Sequence, residues 1–382
     1  MILVYRLLVN FLYPFLFIFL YLRIIKKKED PKRFKEKILV KSFNVKKNLN
    51  TRLLWFHAAS IGEFKSIIPI IEKLNENYKN YQFLVTTTTL SSSNLAKTEL
   101  KKFNNVEHRF IPFDVGFLME NFLESWKPDR IFLVDSEIWP NLILKAKAKR
   151  IPIALINARI TKKSFNRWSI FPGAAKKVFN LIKLSLCSNQ ETKSFLKKLD
   201  AKNVKCEGNI KFSNKIELKD LNDKNKKLLS KARFWIAASI HKEEDIFCLR
   251  AHLKIKREYS DVMTIIAPRH LNKVNKIKSL SERLNLKAQI LNNNDVISDD
   301  TEIVIINFFG ALQDYFLYAK SVFMGKSTVD KLKNDSGQNP IDAAKMNCKI
   351  YHGPYVSNFN EVYEILRDHN ISHSIKSYDD LG

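Results

Sequence analysis

At 382 residues the chain exceeds one typical hydrophobic core, so two domains are expected. An apolar fraction of 45% predicts a packed globular protein, and four cysteines without a CxxC pair argue against a disulfide framework or a zinc site. The net charge of +26 is compatible with an anionic membrane surface, an acidic substrate or nucleic acid, or with lysines that are only solvated surface. Nucleic acid is disfavoured because the lysines are spread along the whole chain and lack the interleaved aromatics of a single-strand binding groove.

The first predicted element is an N-terminal membrane anchor, residues 1–25. Ile2 to Ile25 is almost continuously apolar, is long enough to span a bilayer and lacks the small-residue cleavage site of a signal peptide. Arg6 and Asn10 are costly at mid-bilayer, so a helix lying in the interface is an open alternative. A basic cluster follows the anchor: Lys26, Lys27, Lys28, Lys32, Arg33, Lys35 and Lys37. By the positive-inside rule, this cluster predicts that the domains stay on the cytoplasmic side of the inner membrane. The same cluster is expected to be attracted to anionic lipid headgroups.

Strand-like and helix-like segments alternate behind this anchor. The predicted strands of the first half are Leu53–His57, Gln82–Thr87, Arg130–Val134, Ile153–Ile156 and Leu184–Cys187, and those of the second half are Phe234–Ala238, Met263–Ala267, Glu302–Ile306, Val322–Met324 and Lys349–Tyr351. This alternation predicts an α/β fold of two Rossmann-like domains that face each other across a cleft. The polar stretch Ser213–Ser230 predicts the junction, with domains at residues 26–212 and 213–382.

The segment Trp55 to Glu63 is the most informative stretch of the chain. An apolar run, a small-residue turn and a helical pattern follow one another, which places Glu63 at the carboxyl end of a strand, where open α/β sheets bind ligands. Ser60 and Glu63 also form the Ser-x-x-Glu pattern of a capping box, in which the glutamate only closes a helix start. From the spacing alone, both capping and catalysis stay open for Glu63.

Two further polar clusters follow predicted strands of the first half. Asp135 and Glu137 are placed to orient polar groups or to stabilise developing positive charge, with a capped loop as the competing interpretation. Arg159 and Lys162 suit phosphate or carboxylate recognition, with a solvated face as the alternative.

Signals for anion binding continue towards the C-terminus. Lys211, just before the junction, is expected to face the cleft, and Arg269 is a natural bidentate phosphate ligand. Asn339 as N-cap and Pro340 at the first helical position mark a helix start whose free amides favour an anionic group. Asp342 in the first turn of that helix is placed to bond ribose hydroxyls.

Taken together, these segments resemble the 3-deoxy-D-manno-octulosonic acid (Kdo) transferases of lipopolysaccharide biosynthesis. They occur in the family's order and cover nearly the whole chain: Trp55–Glu63, Asp135–Asn141, Asn157–Ser164, Gly208–Phe212, Trp235–Ser239, Ala267–His270 and Asn339–Ala344. The resemblance implies an inverting glycosyltransferase of the GT-B type, with an N-terminal acceptor domain and a C-terminal donor domain. CMP-Kdo would be the donor substrate and the lipid A precursor (lipid IV-A) of the inner membrane the acceptor. No cofactor is expected, and no metal either, because the histidines and cysteines lack the spacing of metal ligands.

The resemblance also implies roles for individual residues. Glu63 is similar to the general base of the family, and Glu137, Asp135 and Lys211 are similar to positions that assist the transition state. The implied CMP site consists of Pro268, Arg269, Phe309, Gly310, Ala311, Asn339, Pro340, Ile341 and Asp342. The residues expected at the acceptor or its anionic groups are Ser60, Gly62, Arg159 and Lys162.

Departures from the family pattern cluster in the donor domain. Ala311 stands where glutamate is usual, Lys326 where a second glycine is usual, and Gln338 and Asp342 where histidine and glutamate are usual, while Asp135 replaces a glutamate in the acceptor domain. These changes keep open a membrane GT-B enzyme that uses a different nucleotide sugar. A non-catalytic binder of anionic lipid or nucleic acid is a third hypothesis, which the acids at strand ends argue against.

Overall fold

The structure, a computed structural model, describes residues 1–39, 51–213, 218, 221–310 and 312–381. The chain divides into two units, Met1–Lys215 and Ile216–Gly382. Each unit has its own sheet and its own hydrophobic core.

A parallel sheet of seven strands forms the centre of the first unit. Its strands are β1 (Arg52–His57), β2 (Tyr81–Thr87), β3 (Val106–Phe110), β4 (Arg130–Val134), β5 (Ile153–Ala158), β6 (Leu184–Cys187) and β7 (Val204–Cys206). They lie in the order β3-β2-β1-β4-β5-β6-β7. The helices are α1 (Ile2–Ile25), α2 (Ile61–Asn77), α3 (Leu90–Glu99), α4 (Gly116–Trp126), α5 (Pro140–Ala148), α6 (Lys162–Ser169), α7 (Pro172–Phe179) and α8 (Gln190–Lys198), with short 3-10 turns at Phe34–Lys37, Leu100–Lys102 and Ile210–Ser213.

Alternate residues of the central strands pack on opposite faces of this sheet. In β1, Leu53 and Trp55 belong to one hydrophobic cluster, whereas Leu54 and Phe56 belong to another. A parallel strand that is covered on both faces has no solvated side, so its sequence is a continuous apolar run. For this reason β1 was recognisable from its sequence.

The second unit repeats the same architecture. Its strands are β8 (Phe234–Ile240), β9 (Met263–Pro268), β10 (Ala288–Leu291), β11 (Ile303–Ile306), β12 (Ser321–Met324), β13 (Lys349–His352) and β14 (Ser372–Ser374), in the parallel order β10-β11-β9-β8-β12-β13-β14. The helices are α9 (Asp223–Leu229), α10 (Glu244–Glu258), α11 (Val274–Arg283), α12 (Leu312–Phe316), α13 (Ile341–Lys345) and α14 (Asn360–Asp368), with 3-10 turns at Leu271–Lys273, Asp330–Asp335 and Tyr378–Asp380. The prediction of two Rossmann-like domains is confirmed.

All ten predicted strands are present, and the described residues contain four more that the sequence did not indicate, β3, β7, β10 and β14. These four are the edge strands of the two sheets. An edge strand has one neighbour and is partly solvated, so it does not need a continuous apolar run.

Each sheet has a topological switch point where the strand order reverses. In the first sheet this point lies between β1 and β4, and in the second sheet it lies between β8 and β12. Ligands of open α/β sheets bind at the carboxyl ends of such strands. A ligand-binding site is therefore expected at the segments that follow β1, β4, β8 and β12.

Candidate active site

Glu63 lies at the start of α2, in the segment that follows β1. Its Oε1 accepts a hydrogen bond from the Ser60 hydroxyl and its Oε2 accepts one from the Ala59 N–H, each at 2.8 Å, while the Glu63 N–H donates to Ser60 Oγ at 3.4 Å. The carboxylate therefore takes part in capping the N-terminus of α2, as the capping interpretation predicted. The same bonds fix its position, so capping is compatible with a role in proton transfer.

The surroundings of Glu63 hold its pKa above the ordinary value. Burial is the largest cause, and the negative charges of Asp135 and Glu137 add to it, against the hydrogen bonds from Ser60 and Ala59. A carboxylate with a raised pKa is a better acceptor for the proton of a hydroxyl group. Asp135 and Glu137, which follow β4, thus lie close enough to act on Glu63.

Asp135, the first residue after β4, is held by two partners. Its Oδ2 accepts a hydrogen bond from Lys211 Nζ at 2.7 Å, and its Oδ1 accepts one from the Asn157 side-chain amide. Asn157 Oδ1 accepts the Ile210 N–H at 3.0 Å, which ties the turn carrying Lys211 to the sheet. Asp135 and Asn157 have left-handed φ values of 57° and 51°, a conformation that Asp and Asn adopt more readily than other non-glycine residues.

Glu137 contacts the end of β1 through His57. His57 Nε2 lies 3.2 Å from Glu137 Oε2, and Trp139 Nε1 donates to the same oxygen at 2.7 Å. His57 Nδ1 lies 3.0 Å from Thr86 Oγ1, which accepts a hydrogen bond from Trp55 Nε1 at 2.8 Å. Because an ionised carboxylate can only accept, the contact with Glu137 places a ring hydrogen on His57 Nε2, while Nδ1 also lies 3.2 Å from the Thr86 carbonyl oxygen.

This network favours an ionised Glu137. Burial disfavours the charged form, but the hydrogen bonds from His57 and Trp139 outweigh burial and lower the pKa of Glu137 below its ordinary value. Sequence reasoning assigned no role to His57 or Asn157. The available signal was a polar residue at the end of an otherwise apolar strand, which becomes informative only when its partner is known.

The residues predicted at the acceptor lie at different places on this edge. Ser60 contacts Glu63, and Gly62 is exposed, with no atom within 4 Å of where a Cβ would stand. The Arg159 backbone N–H donates to the Asp135 carbonyl at 3.2 Å. Lys162 is exposed at the first position of α6.

In the second unit, the first residues predicted for the donor follow β9 and β11. Pro268 ends β9, and the Arg269 side chain behind it is exposed. Phe309, which is 69% exposed, and Gly310, with a φ of 85°, belong to the segment after β11. Ala311 lies outside the described residues. Pro268 and Arg269 thus stand at the carboxyl edge of the sheet, where the sequence order placed them.

The predicted helix start at Asn339 is wrong by one position. Helix α13 begins at Ile341 with Pro340 in the cap position, and it has only five residues. Asn339 Oδ1 still satisfies a free amide, since it accepts the Ile341 N–H at 3.1 Å. Asp342 Oδ2 accepts a hydrogen bond from Gln313 Nε2 at 2.8 Å, a partner that the sequence pattern did not indicate.

Basic side chains gather at the switch point of the second sheet. The rings of His241 and His270 lie 5.6 Å apart, edge to face. Burial lowers the pKa of His241, and the charges of Lys326, His270 and Arg269 lower it further, against the opposite effect of Glu244. Of these four basic residues, only Arg269 was predicted to bind the donor.

Glu244 fixes the loop that follows β12. The carboxylate is fully buried and accepts five hydrogen bonds of 2.7–3.1 Å, from the backbone N–H groups of His241, Lys326, Ser327 and Thr328 and from the Thr328 hydroxyl. Gly325 precedes this loop, and a Cβ there would lie 2.6 Å from the Ile240 Cα. The backbone of this loop is therefore closely constrained from two sides.

Comparison with known proteins connects this geometry to a family. Residues 32–214 match the family model described as 3-deoxy-D-manno-octulosonic-acid transferase. The chain is 32% identical to a 3-deoxy-D-manno-octulosonic acid transferase of Rickettsia typhi over 352 residues, which are 90% of this chain and 73% of the relative. It is 29% identical to the enzyme of that name from Rickettsia bellii over 381 residues, 97% of this chain and 86% of the relative.

A solved structure of UDP-GlcNAc 2-epimerase from Neisseria meningitidis has the same fold class. The two are 12% identical with a TM-score of 0.57, over 86% of this chain and 89% of the epimerase. At this identity the likeness concerns the fold alone. It agrees with the GT-B type expected from the sequence.

Proposed function

Because the chain belongs to the family of 3-deoxy-D-manno-octulosonic acid transferases, we propose that it transfers Kdo from CMP-Kdo to the lipid A precursor, with Glu63 as the general base. The observation that carries the role of Glu63 is its fixed carboxylate, which stands with Asp135 and Glu137 at the switch point and has a raised pKa. The chain is accordingly a glycosyltransferase of lipopolysaccharide synthesis.

The proposed step is a direct displacement. A hydroxyl oxygen of the acceptor attacks the anomeric carbon of Kdo while its proton passes to the Glu63 carboxylate. The bond between that carbon and the CMP phosphate oxygen breaks, and its electron pair leaves with the phosphate. Attack from the face opposite the leaving group inverts the anomeric centre.

The acids beside Glu63 would act on the charge that develops in this step. Positive charge grows on the sugar as the phosphate departs, and the ionised Glu137 stabilises it electrostatically. Asp135 is paired with Lys211 at 2.7 Å, and its charge still acts on Glu63. Its proposed contribution is to hold the turn of Lys211 in place and to raise the pKa of Glu63.

The departing CMP would be received by the second unit. The basic side chains of His241, Arg269 and His270 support binding of an anionic phosphate at the switch point of that sheet. Asn339 and Asp342 are the proposed contacts to the nucleoside part of the donor. We further propose that the chain works at the cytoplasmic face of the inner membrane and that anionic lipids attract its basic residues.

A transfer assay with purified protein in detergent, CMP-Kdo and the tetra-acylated lipid A precursor tests the proposal, with product mass as the readout. We expect the mass of one or more Kdo groups to be added, and we expect Glu63→Gln to abolish transfer while CMP binding persists. Full turnover by a folded Glu63→Gln variant would refute the role of Glu63, and absence of product with the wild type would refute the proposed reaction.

A second candidate is transfer from a different nucleotide sugar. It is favoured by the internal pairing of residues that depart from the family pattern: Lys326 Nζ pairs with Asp335 at 3.0 Å, and Asp342 bonds to Gln313. Testing CMP-Kdo beside UDP-sugars separates the two candidates, since a preference for a UDP-sugar contradicts the first.

A further inference from the structure

Helix α1 is docked on the first unit from Ile2 to Leu20. Ile2, Val9, Tyr13 and Leu16 pack against the core of this unit, and Leu20 is completely buried. With Tyr5, these residues recur every three or four positions and so form one stripe of the helix. The docked stripe therefore runs from the first turn of α1 to its fifth.

Polar bonds hold both ends of the docked stripe. The Tyr5 hydroxyl donates to Asp114 Oδ2 at 2.8 Å, and Asp114, which is 7% exposed, also accepts the Asn141 and Leu142 N–H groups at the start of α5. At the other end of the helix, Arg23 Nε donates to Glu29 Oε1 at 2.8 Å. Helix α1 is thus tied to α5, whose preceding loop carries Glu137.

The opposite face of α1 is apolar and exposed. Leu3, Leu7, Phe11, Phe15, Ile18 and Leu22 are each more than half exposed. At 100° per residue Arg6 lies about 60° from the centre of the docked stripe, and Asn10 lies about 100° from it, at the border of the apolar face. Both polar residues are therefore on the side of the helix and not at the centre of the exposed apolar face.

A docked α1 is incompatible with a helix that crosses the bilayer. At 1.5 Å per residue a helix of this length is about 36 Å long, enough to span a hydrocarbon core. While α1 stays docked, spanning would carry the neighbouring surface of the unit into the hydrocarbon, including the Glu120–Lys145 pair. Arg6 stands close enough to this pair to help Lys145 and Lys149 lower the pKa of Glu120.

The surface next to the first turn of α1 is complementary to an anionic lipid leaflet, because it combines exposed apolar side chains with basic ones. Ile170 and Phe171, which are 66% and 42% exposed, line one groove together with Met1 to Leu3. The surrounding helices α6 and α7 contain five basic residues and no acid: Lys162, Lys163, Arg167, Lys176 and Lys177. Of these, Lys176 pairs with Asp200, which lies after α8, at 3.1 Å. Exposed apolar side chains bordered by cations are typical of a protein surface that inserts into one anionic leaflet.

We propose that α1 lies in the plane of a single anionic leaflet, inserted by its apolar face and docked to the first unit by its opposite face. The segment Ile170–Phe171 inserts beside it, and the cations of α6 and α7 contact phospholipid headgroups. Docking through Asp114 and α5 keeps the edge that carries Glu63 and Glu137 at a constant height above the membrane. This mode of attachment does not depend on which sugar the enzyme transfers.

Depth measurements on the full chain distinguish a helix in the plane from a spanning one. Leu3→Cys, Phe11→Cys and Leu22→Cys, each made with Cys206→Ser, place a fluorophore at three points of the exposed face, while the other three cysteines are buried. The outer two points are about 28 Å apart along the helix. In phosphatidylcholine–phosphatidylglycerol vesicles with quenchers at known acyl depths, we expect one shallow depth for all three labels. A deep Phe11 label between two shallow ones would overturn the proposal.

Vesicle binding provides a second test that does not use labels. Leu7→Glu/Ile18→Glu places two charges on the inserted face, and we expect it to weaken binding at least about 100-fold. Tyr78→Glu/Ile365→Glu changes two exposed apolar residues elsewhere and serves as the matched control. Equal loss in both variants, unchanged binding in the first, or equal wild-type affinity for pure phosphatidylcholine vesicles would each contradict the proposed surface.

Discussion

Lys211 Nζ donates a hydrogen bond of 2.7 Å to Asp135 Oδ2, which joins two residues that are 76 positions apart in the chain. Asp135 follows β4 directly, and Lys211 lies in the 3-10 turn that follows β7. The lysine thus stabilises a nearly buried carboxylate whose negative charge raises the pKa of Glu63.

Glu63→Gln should lower the rate of transfer at least about 100-fold, because glutamine cannot accept the hydroxyl proton. Glutamine keeps the shape of the side chain and an oxygen acceptor for the Ala59 N–H, so CMP binding should be unchanged by calorimetry. Ser60→Ala is the matched control, since it removes the capping hydroxyl at a cost of about 1 kcal/mol in unfolding free energy but leaves the carboxylate. Loss of activity in Ser60→Ala equal to that in Glu63→Gln would favour a purely structural role for Glu63.

The rate of transfer should fall as the pH decreases through the raised pKa of Glu63, because the base must be ionised. The acid limb of the pH profile should therefore lie above the ordinary range of a glutamate. Asp135→Asn removes a charge that raises this pKa and should move the limb to lower pH. Ser60→Ala removes a hydrogen bond that lowers it and should move the limb to higher pH. Shifts of the same sign in both variants would be inconsistent with Glu63 as the titrating group.

Lys211→Met should destabilise the fold by about 1.5–3 kcal/mol, because it leaves the Asp135 carboxylate without its charged hydrogen-bond donor. Asp135→Asn combined with Lys211→Met removes both charges and should recover part of that stability in denaturant unfolding. We expect transfer to stay low in the double variant, since neither partner can then act on the site. Independent, additive losses of stability would show that the two side chains are not coupled.

Glu244→Gln should raise the KM for the donor more than it lowers kcat. The substitution replaces an acceptor of five hydrogen bonds with a group that has one acceptor oxygen, so the loop carrying Lys326 loses its fixed conformation. The adjacent, exposed Glu243→Gln is the matched control with the same change of charge. Steady-state kinetics at varied donor concentration measures both constants. An equal KM in the two variants would show that the bonds from Glu244 to the loop after β12 do not affect donor binding.

Most of the fold could be read from the sequence because its central strands are buried on both faces. β1, β4 and β8 are apolar runs whose bounds were predicted to within two residues. The edge strand β3, Val106–Phe110, contains Glu107, His108 and Arg109 and has no such run. Its place in the sheet comes from pairing with β2, a contact that local composition does not encode.

The sequence by itself also determined which side chains follow which strands, and hence the candidates Glu63, Asp135, Glu137 and Arg269. Only the tertiary structure decided their partners: His57 for Glu137, 80 positions away, and Asn157 between Asp135 and the turn of Lys211. It also decided that one stripe of α1 is docked, where composition allowed either a spanning helix or one in the membrane plane. The physical reason is that a local pattern records whether a residue is buried, whereas the order of the strands decides which distant groups meet.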